Sequence, residues 1–281
     1  MNTIKVKCPA KINLTLEIVN KRDDGFHNIK SVMQMISLYD YLTIKVESSA
    51  KNQIKLSGTS EEIPYNEKNL VYKATELFLQ ESGINNIAID IFIEKNIPIS
   101  AGLAGGSTDA AGTLWGLNYL FKSFDNKGLN ELCAKLGSDL NVCLNGGCVL
   151  ATSRGEVTQK LPDIKSDVSL IKPKNLGISA GEAYTKYSLK ENKPKPNMTE
   201  KMLVAINNNQ EIKSYLYNDL EYAVYDDYEE LQKIKEYYPQ AIMSGSGSTY
   251  FVLGNLKETK LGDEYLFLGD LRFISEGVGL V

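Results

Sequence analysis

A mixed α and β fold is what the sequence predicts, on three observations: runs of period-2 alternation, helical apolar stripes between them, and a composition of ordinary globular kind. Ile12, Leu14, Leu16 and Ile18 alternate with Asn13, Thr15 and Glu17, which predicts a half-buried strand, and a turn follows at Lys21 to Gly25. Leu42, Ile44 and Val46 repeat the alternation, as do Ile87, Ile89, Ile91 and Ile93. Between those two runs, residues 69–80 carry Leu70, Ala74, Leu77 and Phe78 at helical spacing. Ala110, Leu114, Leu117 and Phe121 mark one face of a helix that opens right after a glycine cluster, with Ser107, Thr108 and Asp109 as its N-cap or first-turn residues. A short helix is expected over 127–136, and a strand over 148–152 after Asn145-Gly146-Gly147.

The pattern restarts beyond about residue 155, which predicts two domains, 1–155 and 156–281. The second holds a strand at 168–172, a helix near 181–189, helices at 199–207 and 228–238, and a strand at 249–253. Residues 190–197 (KENKPKPN), with their lysines and prolines, predict an exposed loop.

At 281 residues the chain is long enough for one large or two ordinary domains, and 43% apolar with 23% charged residues excludes disorder and disulfide-miniprotein classes. A net charge of −4 argues against nucleic acid as a partner. No apolar run reaches membrane-span length, and Met1 to Lys5 lacks the apolar core of a signal peptide. Cys8, Cys133, Cys143 and Cys148 form no C-x-x-C pair, so they read as reduced, buried thiols of a cytoplasmic protein. His27 is the only histidine, which excludes a His-rich metal site and leaves acid–base chemistry to a carboxylate or lysine.

Residues 98–111 read PISAGLAGGSTDAA. Neither G-x-x-x-x-G-K-[ST] nor G-x-G-x-x-G fits, yet the physics of both is present: Gly102, Gly105 and Gly106 permit close backbone approach, and a helix N-terminus attracts a polyanion. Taken alone, this segment also reads as a plain loop with a capped helix, and the second cluster, Met243 to Thr249 (MSGSGST), as a tight turn.

Together with Ala10-Lys11-Ile12-Asn13-Leu14, the two clusters resemble, in order and spacing, the three motifs of the galactokinase, homoserine kinase, mevalonate kinase and phosphomevalonate kinase (GHMP) superfamily. Within it, Pro9 to Leu14, Asp24-Gly25-Phe26-His27 and Leu136-Gly137-Ser138-Asp139-Leu140-Asn141-Val142 are most similar to the 4-diphosphocytidyl-2-C-methyl-D-erythritol kinases of the non-mevalonate isoprenoid route. The resemblance implies an α+β fold of two domains. The N-terminal, ATP-binding one is of the ribosomal-protein S5 domain 2 type, the C-terminal one is ferredoxin-like, and the site lies in the cleft between them. It also implies ATP and Mg²⁺ as cofactors, a small-molecule substrate, and a monomer or weak homodimer.

By the same resemblance, Asp139 is the expected general base and Lys11 its electrostatic partner, acting on the 2-hydroxyl of the methylerythritol unit. Asn13 is expected near the reacting centre. A cytosine ring needs stacking faces and a polar reader, and Phe26, His27 and Tyr184 are expected to supply them. Asn69, Lys95 and Pro98 are the expected adenine contacts. Phosphates would meet Gly102, Leu103, Ala104, Gly105, Gly106, Ser107 and Thr108, closed by Gly245, Ser246 and Gly247, with Ser107 the candidate metal contact. Two departures stand out: Ala104 replaces a usual glycine, and Ala180 replaces a usual hydroxyl residue, with Ser179 its neighbouring substitute. The rival readings are another kinase of the superfamily, which Phe26, His27 and Tyr184 oppose, and a nucleotide-binding regulator, which has no chemical use for Lys11 with Asp139.

Overall fold

The computed structural model describes residues 2–191 and 193–281; Met1 of the N-terminal segment and Asn192 of the 190–197 loop lie outside it. The first half of the chain runs through β1 (Asn2–Asn13), β2 (Thr15–Lys21), β3 (His27–Ser48), β4 (Gln53–Gly58), α1 (Leu70–Ser82), β5 (Ile87–Glu94), α2 (Gly105–Phe121), α3 (Asn126–Leu136), α4 (Leu140–Asn145) and β6 (Cys148–Ser153). The second half follows with β7 (Val157–Lys160), β8 (Asp167–Pro173), α5 (Ala180–Leu189), α6 (Met198–Asn207), β9 (Tyr217–Asn218), α7 (Asp219–Val224), α8 (Glu229–Tyr237), β10 (Ile242–Met243), β11 (Tyr250–Leu253), β12 (Tyr265–Arg272) and β13 (Gly279–Leu280).

β3 is the spine of the larger sheet. One of its edges carries β1 and then β2, and the other carries β5 and β6, all antiparallel to it. The single strand expected over 12–18 is interrupted at Leu14: β1 ends with Asn13 opposite Met33, and β2 resumes one register further on, with Glu17 opposite Lys30. A second register shift falls between Pro9 and Ala10, where proline has no N–H to give the ladder. These irregularities bracket Lys11 and Asn13 and re-aim them.

Alternation in β5 buries Ile87, Ile89, Ile91 and Ile93 beneath α1 and α2, whose Val71, Ala74, Phe78, Ala110, Ala111, Leu114 and Leu117 complete that core. α2 lies flat on the sheet because Gly112 and Gly116 face it. A Cβ on them would stand 2.3 Å from Cys8 Sγ and 2.6 Å from Ile44 Cδ1. The smaller sheet, ordered β10-β11-β8-β12, is antiparallel throughout. The chain returns twice to the larger sheet, through β9 beside β2 and β13 beside β1. Residues 155 and 156 lie in the connection between the paired strands β6 and β7. All four cysteines are free and buried, and no helix is long and apolar enough to cross a membrane among the described residues.

Candidate active site

Lys11 sits just past the Pro9 irregularity of β1 and is only 3% exposed. Its three ammonium protons have three neighbours: Asn13 Oδ1 at 2.7 Å, the Gly102 carbonyl at 3.2 Å, and Asp139 Oδ2 at 3.4 Å. Asn13 is fixed in turn by donating to Ser31 Oγ at 2.9 Å, and Ser31 donates to the Thr15 carbonyl at 2.5 Å. Asp139 occupies the N-cap position of α4 but makes no capping bond, so its carboxylate is free to face Lys11. An ammonium held this way stabilises negative charge beside it without reorganising.

The two glycine clusters lock onto each other and onto Lys11. Gly102 takes φ +72°, and a Cβ there would lie 1.9 Å from the Ser244 carbonyl; one on Gly245 would lie 2.9 Å from the Gly102 carbonyl and 3.3 Å from Lys11 Nζ. Ser244 Oγ donates to the Gly102 carbonyl at 3.0 Å, and Asn218 Nδ2 holds the Met243 and Gly245 carbonyls at 2.6 and 2.8 Å. Backbone alone fits at these contacts.

α2 does not take its cap from Ser107, Thr108 or Asp109. Its N-cap is Ala104 in the left-handed conformation, φ +60°, with no side-chain capping bond, and Gly105 to Thr108 form the first turn. A left-handed alanine costs roughly 1–2 kcal/mol against glycine. Ala104→Gly is therefore expected to stabilise the protein by about 0.5–1 kcal/mol, the remainder being offset by unfolded-state entropy. A urea titration checks it, and an unchanged or lower midpoint contradicts it. Ser179, the neighbour of Ala180, is the N-cap of α5, accepting from Glu182 N at 3.1 Å. That bond uses one lone pair of its hydroxyl and leaves the proton free to be donated.

A cleft of about 700 Å³ opens over these groups. Of the expected site residues it brings together Lys11, Asn13, Phe26, His27, Gly102, Ala104, Ser107, Asp139, Tyr184, Gly245 and Ser246. Gly105 and Gly106 lie in the adjoining helical turn. Leu103 and Thr108 are buried behind it, the Leu103 carbonyl accepting from Lys11 N at 3.1 Å, and Thr108 Oγ1 has no partner. Gly247, at φ +88°, packs against Met243.

The expected adenine contacts are engaged elsewhere. Asn69 caps α1, its Oδ1 accepting from Val71 N at 2.9 Å and its Nδ2 donating to the Pro64 carbonyl at 2.7 Å. The Lys95 ammonium is buried between Asp40 and Asp109, beneath Gly105. Burial pushes the Asp109 carboxyl upward against the pull of Lys95, and Asp40 beside it pushes the same way. Pro98 is half-buried and does not line the cleft.

At the other end of the cleft, His27 and Tyr184 stack directly on each other, ring centroids 5.1 Å apart and planes 16° from parallel. That spacing leaves no ring-wide gap, so the pair forms one composite wall rather than two faces around a guest. Phe26 stands 55% exposed with the Arg154 guanidinium 5.3 Å above its ring. Burial lowers the pKa of His27, and Lys21 and Lys193 add to the effect. Burial raises that of Tyr184. Arg154, Lys21, Ser138 and Ser188 also line the cleft, and sequence reasoning missed all four. Only Ser138 lay within a quoted motif. Among the described residues no cluster of three or more His, Cys, Asp or Glu side chains is arranged to hold a metal ion.

Residues 69–150 match the family model of the GHMP kinase N-terminal domain. A 4-diphosphocytidyl-2-C-methyl-D-erythritol kinase of Clostridioides difficile (strain 630) is 36% identical over 93% of this chain and 90% of its own length. One of Acaryochloris marina (strain MBIC 11017) is 33% identical over the whole of both chains. Among solved structures, a 4-(cytidine 5'-diphospho)-2C-methyl-D-erythritol kinase superposes with TM-score 0.71 at 29% identity, covering 89% of this chain and 90% of that one. The homoserine kinase of Cytophaga hutchinsonii superposes with TM-score 0.76 at 17% identity, over 100% of this chain and 98% of that one, a likeness of fold alone. The mixed α and β architecture is thus the GHMP kinase fold. By this likeness along nearly its full length, the chain belongs to the family of 4-diphosphocytidyl-2-C-methyl-D-erythritol kinases, small-molecule kinases of the GHMP superfamily.

Proposed function

We propose that the protein transfers the γ-phosphoryl group of ATP to the 2-hydroxyl of 4-(cytidine 5'-diphospho)-2-C-methyl-D-erythritol. The observation that carries the reading is the Lys11–Asp139 contact of 3.4 Å, sharing one cleft with the glycine loop and the His27–Tyr184 wall. Asp139 takes the proton of the 2-hydroxyl as its oxygen bonds to phosphorus, and ADP leaves with the electron pair of the broken P–O bond. Lys11, 3.4 Å from Asp139, offsets negative charge on the group in transfer, while Asn13 orients the acceptor.

The glycine loop suits a polyphosphate because its backbone approaches closely and the first turn of α2 offers N–H groups. Ser107 and the phosphates would hold Mg²⁺, which supplies charge neutralisation at the transferred group. Phe26, Arg154 and the His27–Tyr184 wall form the pyrimidine end. We read the unit around β3 as the S5-type domain and the four-stranded sheet with its helices as the ferredoxin-like one, with the cleft between them.

A coupled assay of ADP release tests the reading. Turnover is expected with the cytidylylated methylerythritol and not with mevalonate, homoserine or galactose. Turnover only with one of those three alcohols would sink it.

A further inference from the structure

We infer that Ser188 fixes the tautomer of His27 and thereby makes the site select a ring bearing an exocyclic amino group. The specificity this adds rests on the cytidine reading above; the tautomer itself does not. Ser188 lies one turn after Tyr184 on α5, and its Oγ is 3.0 Å from the Tyr184 carbonyl and 3.2 Å from His27 Nε2. A carbonyl has no proton to offer, so the contact with Tyr184 uses the only proton the serine hydroxyl has. Toward His27 the same oxygen presents lone pairs alone. The ring hydrogen therefore sits on Nε2, and Nδ1 is left as a bare acceptor.

Two further observations give that assignment a consequence. Burial, with Lys21 and Lys193 nearby, favours the uncharged ring, so at neutral pH one nitrogen and not both carries hydrogen. The Tyr184 stack fixes the plane of the ring, and with it the direction in which Nδ1 accepts. A fixed acceptor matches the amino group of cytosine. It meets the carbonyl oxygen that uracil carries at the same place lone pair to lone pair, and a site built for a donor rejects a ring without one strongly. Ser188 acts only through His27 and is a positioning residue.

Because His27 is the only histidine, ¹⁵N-histidine labelling of the full chain yields one imidazole. In the ligand-free wild type above the His27 pKa, Nδ1 is expected to resonate as an unprotonated, pyridine-like nitrogen and Nε2 as a pyrrole-like one. In Ser188→Ala the two should move toward each other as the tautomers mix. The same variant should lower the ratio of kcat/KM for the cytidine substrate over its uridine counterpart by at least ~10-fold, with KM for ATP unchanged. A wild-type ring protonated on Nδ1, or a Ser188→Ala spectrum and ratio equal to wild type, overturns the proposal. The spectrum needs no substrate, so the expected tautomer in a protein inactive toward the cytidine substrate would count against the proposed function instead.

Discussion

Replacing Asp139 with asparagine is expected to cut kcat by at least ~10² while leaving the affinity for ATP within a few-fold, because the amide keeps the shape of the carboxylate and loses its basicity. Asp139 is suited to this test because it makes no capping bond and is not a core residue: its nearest charged neighbour is Lys11, at 3.4 Å. Little of the fold therefore depends on its charge. Steady-state turnover at saturating substrate, with nucleotide binding measured separately by calorimetry, distinguishes the outcomes. Turnover equal to wild type would remove Asp139 from the role of base, and lost nucleotide affinity would point to a site that the change has disordered.

Lys11→Met should be the more damaging change. The methionine fills most of the same volume but withdraws the only ammonium facing Asn13 Oδ1, the Gly102 carbonyl and Asp139 together. The loss of a preorganised charge beside the transferred group is expected to lower kcat by ~10²–10³. Asn13 Oδ1, left buried without its donor, costs about 1–3 kcal/mol of stability besides, while the Gly102 carbonyl keeps Ser244. Lys11→Arg should not rescue turnover, because a guanidinium is larger than an ammonium and Lys11 is buried with Asn13, the Gly102 carbonyl and Asp139 already within 3.4 Å of its Nζ. Thermal melts beside kinetics separate the two losses. A kcat within a few-fold of wild type in a folded Lys11→Met protein would mean that the charge does not act on the reacting group.

Elements with one apolar face were legible in the sequence. α1 and β5 fall where their apolar spacing predicts, because each buries one side against the core, whereas α2 is buried all round from Thr108 to Leu114 and is marked instead by the glycine cluster that opens it. β3 was legible only over Leu42 to Val46. Ser31, Val32, Met33, Gln34, Met35 and Ile36 are all buried, so both faces of the strand are covered there and alternation has nothing to report. α4 is too short at six residues for a periodic signal. The break at Leu14 is a matter of register along β3, which local spacing does not encode.

The site divides the same way. Lys11, Asp139 and the two glycine clusters are carried by contiguous motifs and could be read from them. Arg154 above Phe26 and Ser188 beside His27 arise where distant segments meet, and nothing in their local sequence marks them. Lys95, expected by resemblance as an adenine contact, instead has its ammonium buried between Asp40 and Asp109, a pairing of distant segments that local sequence does not mark.

The bond from Ser244 to Gly102 joins positions 142 residues apart. Contacts so distant along the chain must meet the entropy of closing their loop before they add stability. The lock that seats the first turn of α2 beside Lys11 therefore needs both halves of the chain, and a chain folded in its first half alone lacks it. Regained turnover during refolding reports the arrival of the whole molecule, not of its N-terminal half.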